Sequence, residues 1–411
     1  MALLDVGVMF AAVAVAGALA NRVGQSVIPF YIVSGMLLGE FVLGRLSLPA
    51  VGTVYVPETE FISLGAELGI VFLLFFLGLE FNLDRLLARR RQIGTAGTID
   101  LANFGAGLVL GWLVFDALLP AVLLAGIVYI SSSAVITKSL LDLGWIANDE
   151  AEPLLGTLVY EDLFIAVYLA VTSALVLGGD DVGAAVFDVG VAIGFILVLL
   201  AAVQFGTPLF DRLVATDKPE FVALRSIATV VLVAGAALAL GVSEAVAAFF
   251  VGMAFAPTDY AHEIETLLEP VRDTFAAVFF FWIGLVTDPL LFGGVAALIA
   301  LAAVVTTPTK IVTGFFAGRA FDLDAKRSTR VALGMTTRGE FSLIIATVAV
   351  SGAEAGTFDP ALAQTINAFA VGYVLVMAIL GTTLMQYSGP FESIAVSWLD
   401  RDHGDAGGER S

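Results

Sequence analysis

The chain has 411 residues, of which 59% are hydrophobic and only 14% are charged, and its mean hydropathy is +0.98. This composition excludes an ordinary soluble domain and predicts an all-α integral membrane protein. The net charge is −19, and cysteine is absent, which excludes disulfides and thiol chemistry. The acidic loops and tail fit either a high-salt habitat or ordinary solvated segments.

A bilayer core about 30 Å thick requires roughly 20 apolar residues per helix. Thirteen apolar runs satisfy or approach this length. The first run lacks a basic segment and a small-residue cleavage site, so we expect a retained helix rather than a signal peptide. In chain order the predicted spans are 3–20, 27–43, 62–80, 92–115, 118–143, 153–177, 184–206, 226–241, 244–257, 274–288, 291–317, 329–350 and 361–384.

The distribution of Lys and Arg predicts the orientation, because cytoplasmic loops carry an excess of both. With the amino terminus outside, the inner loops and the tail hold most of these residues, whereas the outer loops hold only Arg45. With an even number of helices, the Lys and Arg residues would no longer be segregated to one side of the membrane. The distribution therefore favours thirteen helices and a cytoplasmic carboxyl terminus. We expect a membrane domain at 1–387 and a short acidic cytoplasmic tail at 388–411.

Nothing in the sequence indicates enzyme chemistry. It has no glycine-rich phosphate loop, and its two histidines, His262 and His403, lie in predicted cytoplasmic segments without metal-ligand spacing. We therefore expect no enzymatic activity, no cofactor and no nucleic-acid partner.

Ionisable residues inside the predicted spans carry the functional signal. Counting 1.5 Å per residue from the cytoplasmic helix ends places a group of them about 12–15 Å deep, near the bilayer midplane. Four acids and two bases leave this layer with net negative charge, which suits a cation, and such residues usually mark ion pathways. The alternative is buried ion pairs that only hold helices together. The group comprises Asp100, Glu161, Asp162, Lys310, Arg338 and Glu340.

Two spans contain polar stretches that predict broken helices. One is "YISSSAVITKSLLDLG" (129–144), and the other is "GMTTRGEFSLIIA" (334–346). Unwound segments that line a cavity explain both, although hydroxyl-lined helix packing is an alternative. The stretches lie on the fifth and twelfth spans, and an odd offset of seven predicts inverted repeats in which Asp100 and Lys310 are equivalent. The residues expected at these breaks are Ser131, Ser132, Ser133, Thr337, Arg338, Gly339 and Glu340.

Six motifs in order carry a resemblance to a known family. They are "FLGLEF" (76–81), "SSSAVITKSLLDLG" (131–144), "YEDL" (160–163), "FFFWIGLVTD" (279–288), the Lys of "TKI" (309–311) and "RGEFSLI" (338–344). The chain resembles the cation:proton antiporter 2 family, of Kef type, over residues 3 to 386. The resemblance implies an NhaA-type fold with about thirteen transmembrane helices, inverted repeats and two broken crossing helices, assembled as a homodimer.

The resemblance also implies a function and a site. The chain is expected to be a secondary active transporter of the cell membrane that exchanges Na⁺ or K⁺ for protons by alternating access. Asp162 is expected to bind the transported cation and the proton in turn, with Glu161 beside it, Lys310 as charge partner and Asp100 as an acid of second rank. Burial disfavours a charged carboxylate whereas Lys310 or a bound cation favours it, so the two ligands compete.

Two other classes of function remain open on the residues alone. A solute:sodium symporter or an ion channel on the same fold would also use buried acids, and so would a membrane sensor that transports nothing. Many Kef-type chains continue into a nucleotide-binding regulatory domain, whereas this sequence stops about 25 residues after its last predicted helix. Since basic inner loops such as "RLLARRR" (85–91) suit an acidic partner, we predict a separate soluble cytoplasmic regulatory subunit. Topological retention by positive charge explains the same loops.

Overall fold

The computed structural model describes residues 2–45, 47–48, 52–53, 55–80, 89–145, 147–177, 207–216, 218–239 and 244–405, and a few positions between 190 and 203. Apart from one short antiparallel strand pair, β1 (Ser47–Leu48) with β2 (Gly52–Thr53), the regular structure described is helical. The helices of eight residues or more are α1 (Ala2–Arg22), α2 (Val27–Leu38), α3 (Glu60–Glu80), α4 (Arg90–Asp100), α5 (Ala102–Phe115), α6 (Leu118–Tyr129), α7 (Ser133–Asp142), α8 (Ala151–Leu177), α9 (Thr207–Val214), α10 (Pro219–Ala239), α11 (Glu244–Phe255), α12 (Ala261–Leu285), α13 (Phe292–Ala320), α14 (Ala325–Gly334), α15 (Glu340–Glu354), α16 (Pro360–Gln386) and α17 (Gly389–Asp405).

Many of these helices are suited to a bilayer. Within the described residues, eight helical segments are long and apolar enough to cross a membrane, and two shorter apolar helices are Leu118–Tyr129 and Glu244–Phe255. The prediction of an all-α, multi-pass membrane protein is thereby confirmed. The predicted span 184–206 lies largely outside the described residues, as does most of the basic stretch 85–91. Each of the other predicted spans coincides with one helix or with two consecutive helices.

The chain divides into two compact units, of which the first comprises Met1–Arg85, Ile165–Gly293 and Ala346–Val371. Glycines let its helices approach closely. A Cβ added at Gly35 of α2 would lie 1.9 Å from a carbonyl of α12, and one at Gly284 of α12 would lie 1.9 Å from a carbonyl of α2. Gly78 of α3 and Gly252 of α11 form the same kind of reciprocal contact. Small residues of this kind drive helix packing where lipid removes the hydrophobic driving force.

The second unit comprises Leu86–Phe164, Gly294–Ile345 and Gly372–Ser411. Its apolar core draws on α4, α7, α8, α13, α14 and α16, with Leu140, Leu154 and Met335 among its buried members. Close contact of α13 with α14 again depends on glycine, because a Cβ at Gly314 would lie 2.8 Å from the Cα of Ala332. All of the predicted site residues belong to this second unit.

Within the second unit, the terminal helix α17 is bound to α14 by ion pairs. The Arg330 guanidinium lies 2.8 Å from a carboxylate oxygen of Glu392 on α17 and 2.6 Å from Glu150, just before α8. Ser388 donates a hydrogen bond to Glu392, and the guanidinium also stacks over Trp145, with 4.6 Å between its central carbon and the ring centroid. Helix α17, which begins the predicted tail, is therefore packed against the second unit.

Candidate functional site

Two of the helical paths in the second unit are interrupted where the sequence places its polar stretches. The first stops at Tyr129, leaves residues 130–132 without helical structure and resumes at Ser133. The second stops at Gly334 and resumes at Glu340 after a turn and a short segment without regular structure. Each interruption leaves unpaired backbone carbonyls at the end of one helix and unpaired N–H groups at the start of the next. The side chains around the breaks supply partners for both kinds of group.

A buried ion-pair triad lies at the centre of the site. The Nζ atom of Lys310, on α13, is 2.6 Å from Oε1 of Glu161 on α8 and 2.7 Å from Oδ2 of Asp100 at the end of α4. The three side chains are at most 1% exposed. One ammonium therefore neutralises one of two carboxylates, and the triad retains a net charge of −1 in the form with both acids ionised.

Further hydrogen bonds hold Asp100 from two sides. Its Oδ1 atom accepts a hydrogen bond of 2.9 Å from the side-chain amide of Asn103, one turn along the chain on α5. The hydroxyl of Thr313 lies 3.2 Å from the same oxygen, three residues after Lys310 on α13. The Asn103 amide is also 2.8 Å from this hydroxyl oxygen, so the four side chains form a closed network.

Glu161 is held by the first helix break. The backbone N–H of Ser131 donates to Oε2 of Glu161 at 2.7 Å, and the Ser131 hydroxyl lies 3.0 Å from Oε1. The Ser131 side chain is also 3.2 Å from the carbonyl oxygen of Met335, at the second break. Glu161 thus connects the lysine to the unwound backbone between α6 and α7.

Glu340 lies where two helices begin. Its carboxylate accepts hydrogen bonds from the hydroxyl groups of Ser132, at 2.7 Å, and Ser133, at 3.1 Å. Ser133 is the first residue of α7, and Glu340 is itself the first residue of α15. A negative charge is favourable at helix amino termini, because the N–H groups there carry a partial positive charge.

Arg338 has the complementary position. Its guanidinium donates to the carbonyl oxygens of Val128 at 3.0 Å, Met335 at 3.0 Å and Thr337 at 2.7 Å. These carbonyls belong to the end of α6 and to the segment that follows α14, so one buried cation faces two helix carboxyl ends, where positive charge is favourable. Thr337 contributes its carbonyl to this contact, and its neighbour Gly339 is buried in the same non-helical segment.

Asp162 directly follows Glu161 on α8, and its side chain is buried, with 4% exposed. An aromatic ring also lies beside the lysine of the triad. The ring of Tyr129 has its centroid 5.0 Å from Nζ of Lys310 and makes edge contacts with Phe104 and Phe164. The triad is buried from water, which strengthens the attraction between its charges.

The structure thus separates the predicted residues into three groups. Asp100, Glu161 and Lys310 meet at the triad with Ser131, whereas Ser132 and Ser133 meet Glu340. Arg338 binds carbonyl oxygens, and the described side chains around it include no carboxylate within ion-pair distance. In the part of the chain that is described, no three acidic, histidine or cysteine side chains cluster as a metal site.

Sequence reasoning did not identify Asn103, Thr313 or Tyr129. A usable signal existed for the first two, because each lies three residues after a buried charge and therefore on the same helix face. Tyr129 opens the serine-rich stretch but is indistinguishable in the sequence from a packing residue.

Comparison with known proteins identifies the family of the chain. The family described as "Sodium/hydrogen exchanger, transmembrane" matches residues 8–387. The chain is 36% identical over 389 residues to the K⁺/H⁺ antiporter subunit KhtU of Bacillus subtilis, covering 93% of each chain. It is 29% identical over 339 residues to the ammonium/H⁺ antiporter subunit AmhT of Alkalihalophilus pseudofirmus, covering 80% of this chain and 82% of AmhT.

A similar fold is found in a solved structure, that of the sodium proton antiporter MjNhaP1 from Methanocaldococcus jannaschii. The TM-score is 0.70 at 16% sequence identity, over 96% of this chain and 99% of that one. The predicted family resemblance is confirmed, and with it a transporter rather than an enzyme. Since the family match covers nearly the whole chain, the protein belongs to the sodium/hydrogen exchanger family of membrane proteins, which exchange monovalent cations for protons.

Proposed function

We propose that Asp162 is the carboxylate that binds the transported cation and the proton in turn, and that the buried triad beside it tunes this exchange. The observation that carries the proposal is the lysine shared by two buried acids, Asp100 and Glu161, next to Asp162 on α8. An ionised group in the membrane interior is costly unless paired or hydrated, so an acid at this position points to an ion pathway.

The proposed cycle depends on competition at one carboxylate. A proton neutralises Asp162, and a cation neutralises it equally well, so the two ligands exclude each other. If the protein changes its access only when the carboxylate is neutralised, uptake of one ligand is coupled to release of the other. When Glu161 accepts a proton, its ion pair with Lys310 is broken.

The transported cation is proposed to be monovalent, with K⁺ and Na⁺ both candidates. KhtU is named as part of a K⁺/H⁺ antiporter, and the relative GerN of Bacillus cereus as a Na⁺/H⁺-K⁺ antiporter. Both cations suit carboxylate, hydroxyl and carbonyl oxygens, and selectivity between them depends on cavity geometry. The hydroxyl and carbonyl oxygens at the two breaks are therefore the proposed ligands that supplement Asp162.

The complete architecture is proposed to be the NhaA-type fold. It has thirteen transmembrane helices, inverted repeats, two broken helices that cross, the amino terminus outside and the carboxyl terminus in the cytoplasm. The pair formed by Asp100 and Lys310 supports the repeat, because the seven-span offset makes these two residues equivalent. A homodimer is proposed from the family resemblance. Labelling the two termini from each side of the membrane would test the orientation, and cross-linking in membranes would test the homodimer.

A separate cytoplasmic subunit is also proposed. Both KhtU and AmhT are named as antiporter subunits, which supports a second component for this chain. Co-purification from the native membrane tests this proposal, and full, normally regulated exchange by this chain alone in a strain without its native partners would contradict it.

Exchange is tested with the purified protein in liposomes that carry a pH-sensitive dye. Addition of K⁺, Na⁺ or Li⁺ in separate experiments should dissipate a preset pH gradient. A symporter would require an organic solute for the same response, and a sensor would give none. Absence of a response to every alkali cation, in folded protein, would refute cation/proton exchange.

The role of Asp162 is tested by Asp162→Asn. Asparagine retains the size of aspartate but holds neither charge nor proton, so exchange should be abolished. Asp359→Asn is the matched control, because Asp359 is exposed and caps α16 through the backbone N–H of Leu362, a role that asparagine also fills. Wild-type exchange by folded Asp162→Asn protein would move the proposed site to another carboxylate.

A further inference from the structure

The two carboxylates of the triad are held in different ways. Asp100 accepts hydrogen bonds from side chains on regular helices, namely Asn103 on α5 and Thr313 on α13. Glu161 is held, apart from the lysine, by Ser131 in the non-helical segment between α6 and α7. Since Thr313 and Lys310 both lie on α13, this one helix binds both carboxylate oxygens of Asp100.

The orientation of the Asn103 amide adds an independent observation. Its nitrogen lies 2.9 Å from both the backbone carbonyl oxygen and Oδ1 of Asp100, whereas its oxygen is buried and has no hydrogen-bond partner in the described part of the chain. Rotating the amide would place that oxygen against the Asp100 carboxylate, where like partial charges repel. The fold accepts an unsatisfied acceptor in order to direct N–H groups at Asp100.

We propose that Asn103 and Thr313 are positioning residues that keep Asp100 as the permanent partner of Lys310, so that Glu161 is the partner that Lys310 releases during exchange. This inference rests on the proposed exchange at Asp162. The charged groups that face Asp100 are Lys310 from α13 and Glu161 from α8, and Tyr129 from α6 contributes its ring beside Nζ.

The consequence for transport follows from which acid the lysine keeps. Without the Thr313 hydroxyl, Asp100 loses one of the two side chains that hold its Oδ1 atom, so Lys310 is drawn towards Glu161. Exchange then needs a higher proton concentration to free the lysine from Glu161, which moves the pH profile of exchange towards acid. A lysine held at Glu161 also opposes a cation at the adjacent Asp162, which raises the KM for the cation.

The experiment compares three single variants with the wild-type protein in liposomes. Thr313→Val removes the hydroxyl at nearly constant volume, and Thr313→Ser restores it. Thr306→Val is the matched control, because Thr306 lies buried on the same helix but bonds the hydroxyl of Tyr373. In Thr313→Val the KM for the cation should rise about threefold to tenfold, and the pH of half-maximal exchange should fall by about 0.5–1 unit.

Support for the proposal requires that Thr313→Ser behaves like the wild type and that Thr306→Val leaves the pH profile unchanged. An unchanged profile in Thr313→Val, or equal shifts in both valine variants, would overturn it. If Thr313→Val fails to fold, Asn103→Leu takes its place and must shift the profile in the same direction. The wild-type protein is measured in the same liposomes, so loss of exchange itself is distinguished from loss of the positioning role.

Discussion

Replacement of Lys310 by methionine provides the sharpest test of the triad. Methionine matches the length of the apolar stem of lysine but removes the one cation that two buried carboxylates share. Breaking a buried ion pair costs about 3–5 kcal/mol, because the remaining charge has no counterion. We expect the free energy of unfolding to fall by an amount in this range rather than by twice as much, since one of the two acids can take up a proton in the variant.

The expected loss depends on pH. The variant lacks the ammonium that balances the carboxylate charge, so any ionised carboxylate left there has no counterion. Acidification removes that charge, so the stability difference from the wild type should be smaller near pH 5.5 than near pH 8.5. The midpoint of thermal unfolding in detergent, followed by intrinsic tryptophan fluorescence at both pH values, measures this difference.

Two further variants make the experiment decisive. Lys326→Met is the matched control, because Lys326 is about half-exposed and lies 3.7 Å from Glu392, so its loss should change stability by less than about 1 kcal/mol. The triple variant Lys310→Met, Asp100→Asn, Glu161→Gln removes all three charges and should recover more than half of the lost stability. Wild-type stability of Lys310→Met at pH 8.5, or no recovery in the triple variant, would refute the proposed energetics.

Three other outcomes are expected. Glu161→Gln should retain partial exchange with altered pH dependence in liposomes, since the lysine keeps its other carboxylate. Burial opposes ionisation of Glu392, but hydrogen bonds from Arg330 and Ser388 outweigh it and hold the pKa of Glu392 below its usual range. Its contribution to stability is therefore present above the usual glutamate range and is lost as the pH falls through the lowered value, so Glu392→Gln should unfold with less acid dependence than the wild type. Arg338→Lys should lower thermal stability less than Arg338→Gln, because lysine keeps the positive charge at the two helix ends.

For each of these three predictions, one result would contradict it. Complete loss of exchange in folded Glu161→Gln protein would show that its carboxylate is indispensable. An unchanged acid dependence in Glu392→Gln would mean that the ion pairs of α17 do not contribute to stability. Equal stability of the two Arg338 variants would indicate that hydrogen bonding, and not charge, is what the helix ends require.

Much of the membrane architecture was predictable because hydropathy is a local property. A run of apolar residues long enough to cross the bilayer has no other low-energy environment, so helices occur at the predicted spans wherever the chain is described. The polar stretches at residues 129–144 and 334–346 likewise lie at interruptions in the helices. Depth counting also grouped Asp100, Glu161 and Lys310, since residues at one level of parallel or antiparallel helices are candidates for contact.

Which charges meet was decided only by the tertiary structure. Lys310 contacts Asp100 across 210 positions in the sequence and contacts Glu161 as well, whereas Glu340 binds serine hydroxyls and Arg338 binds carbonyl oxygens. Equal depth does not distinguish these outcomes, because contact also requires that two helices are neighbours and that their faces are turned towards each other. Helix rotation and neighbourhood result from the packing of the whole unit, and no local pattern of residues encodes them.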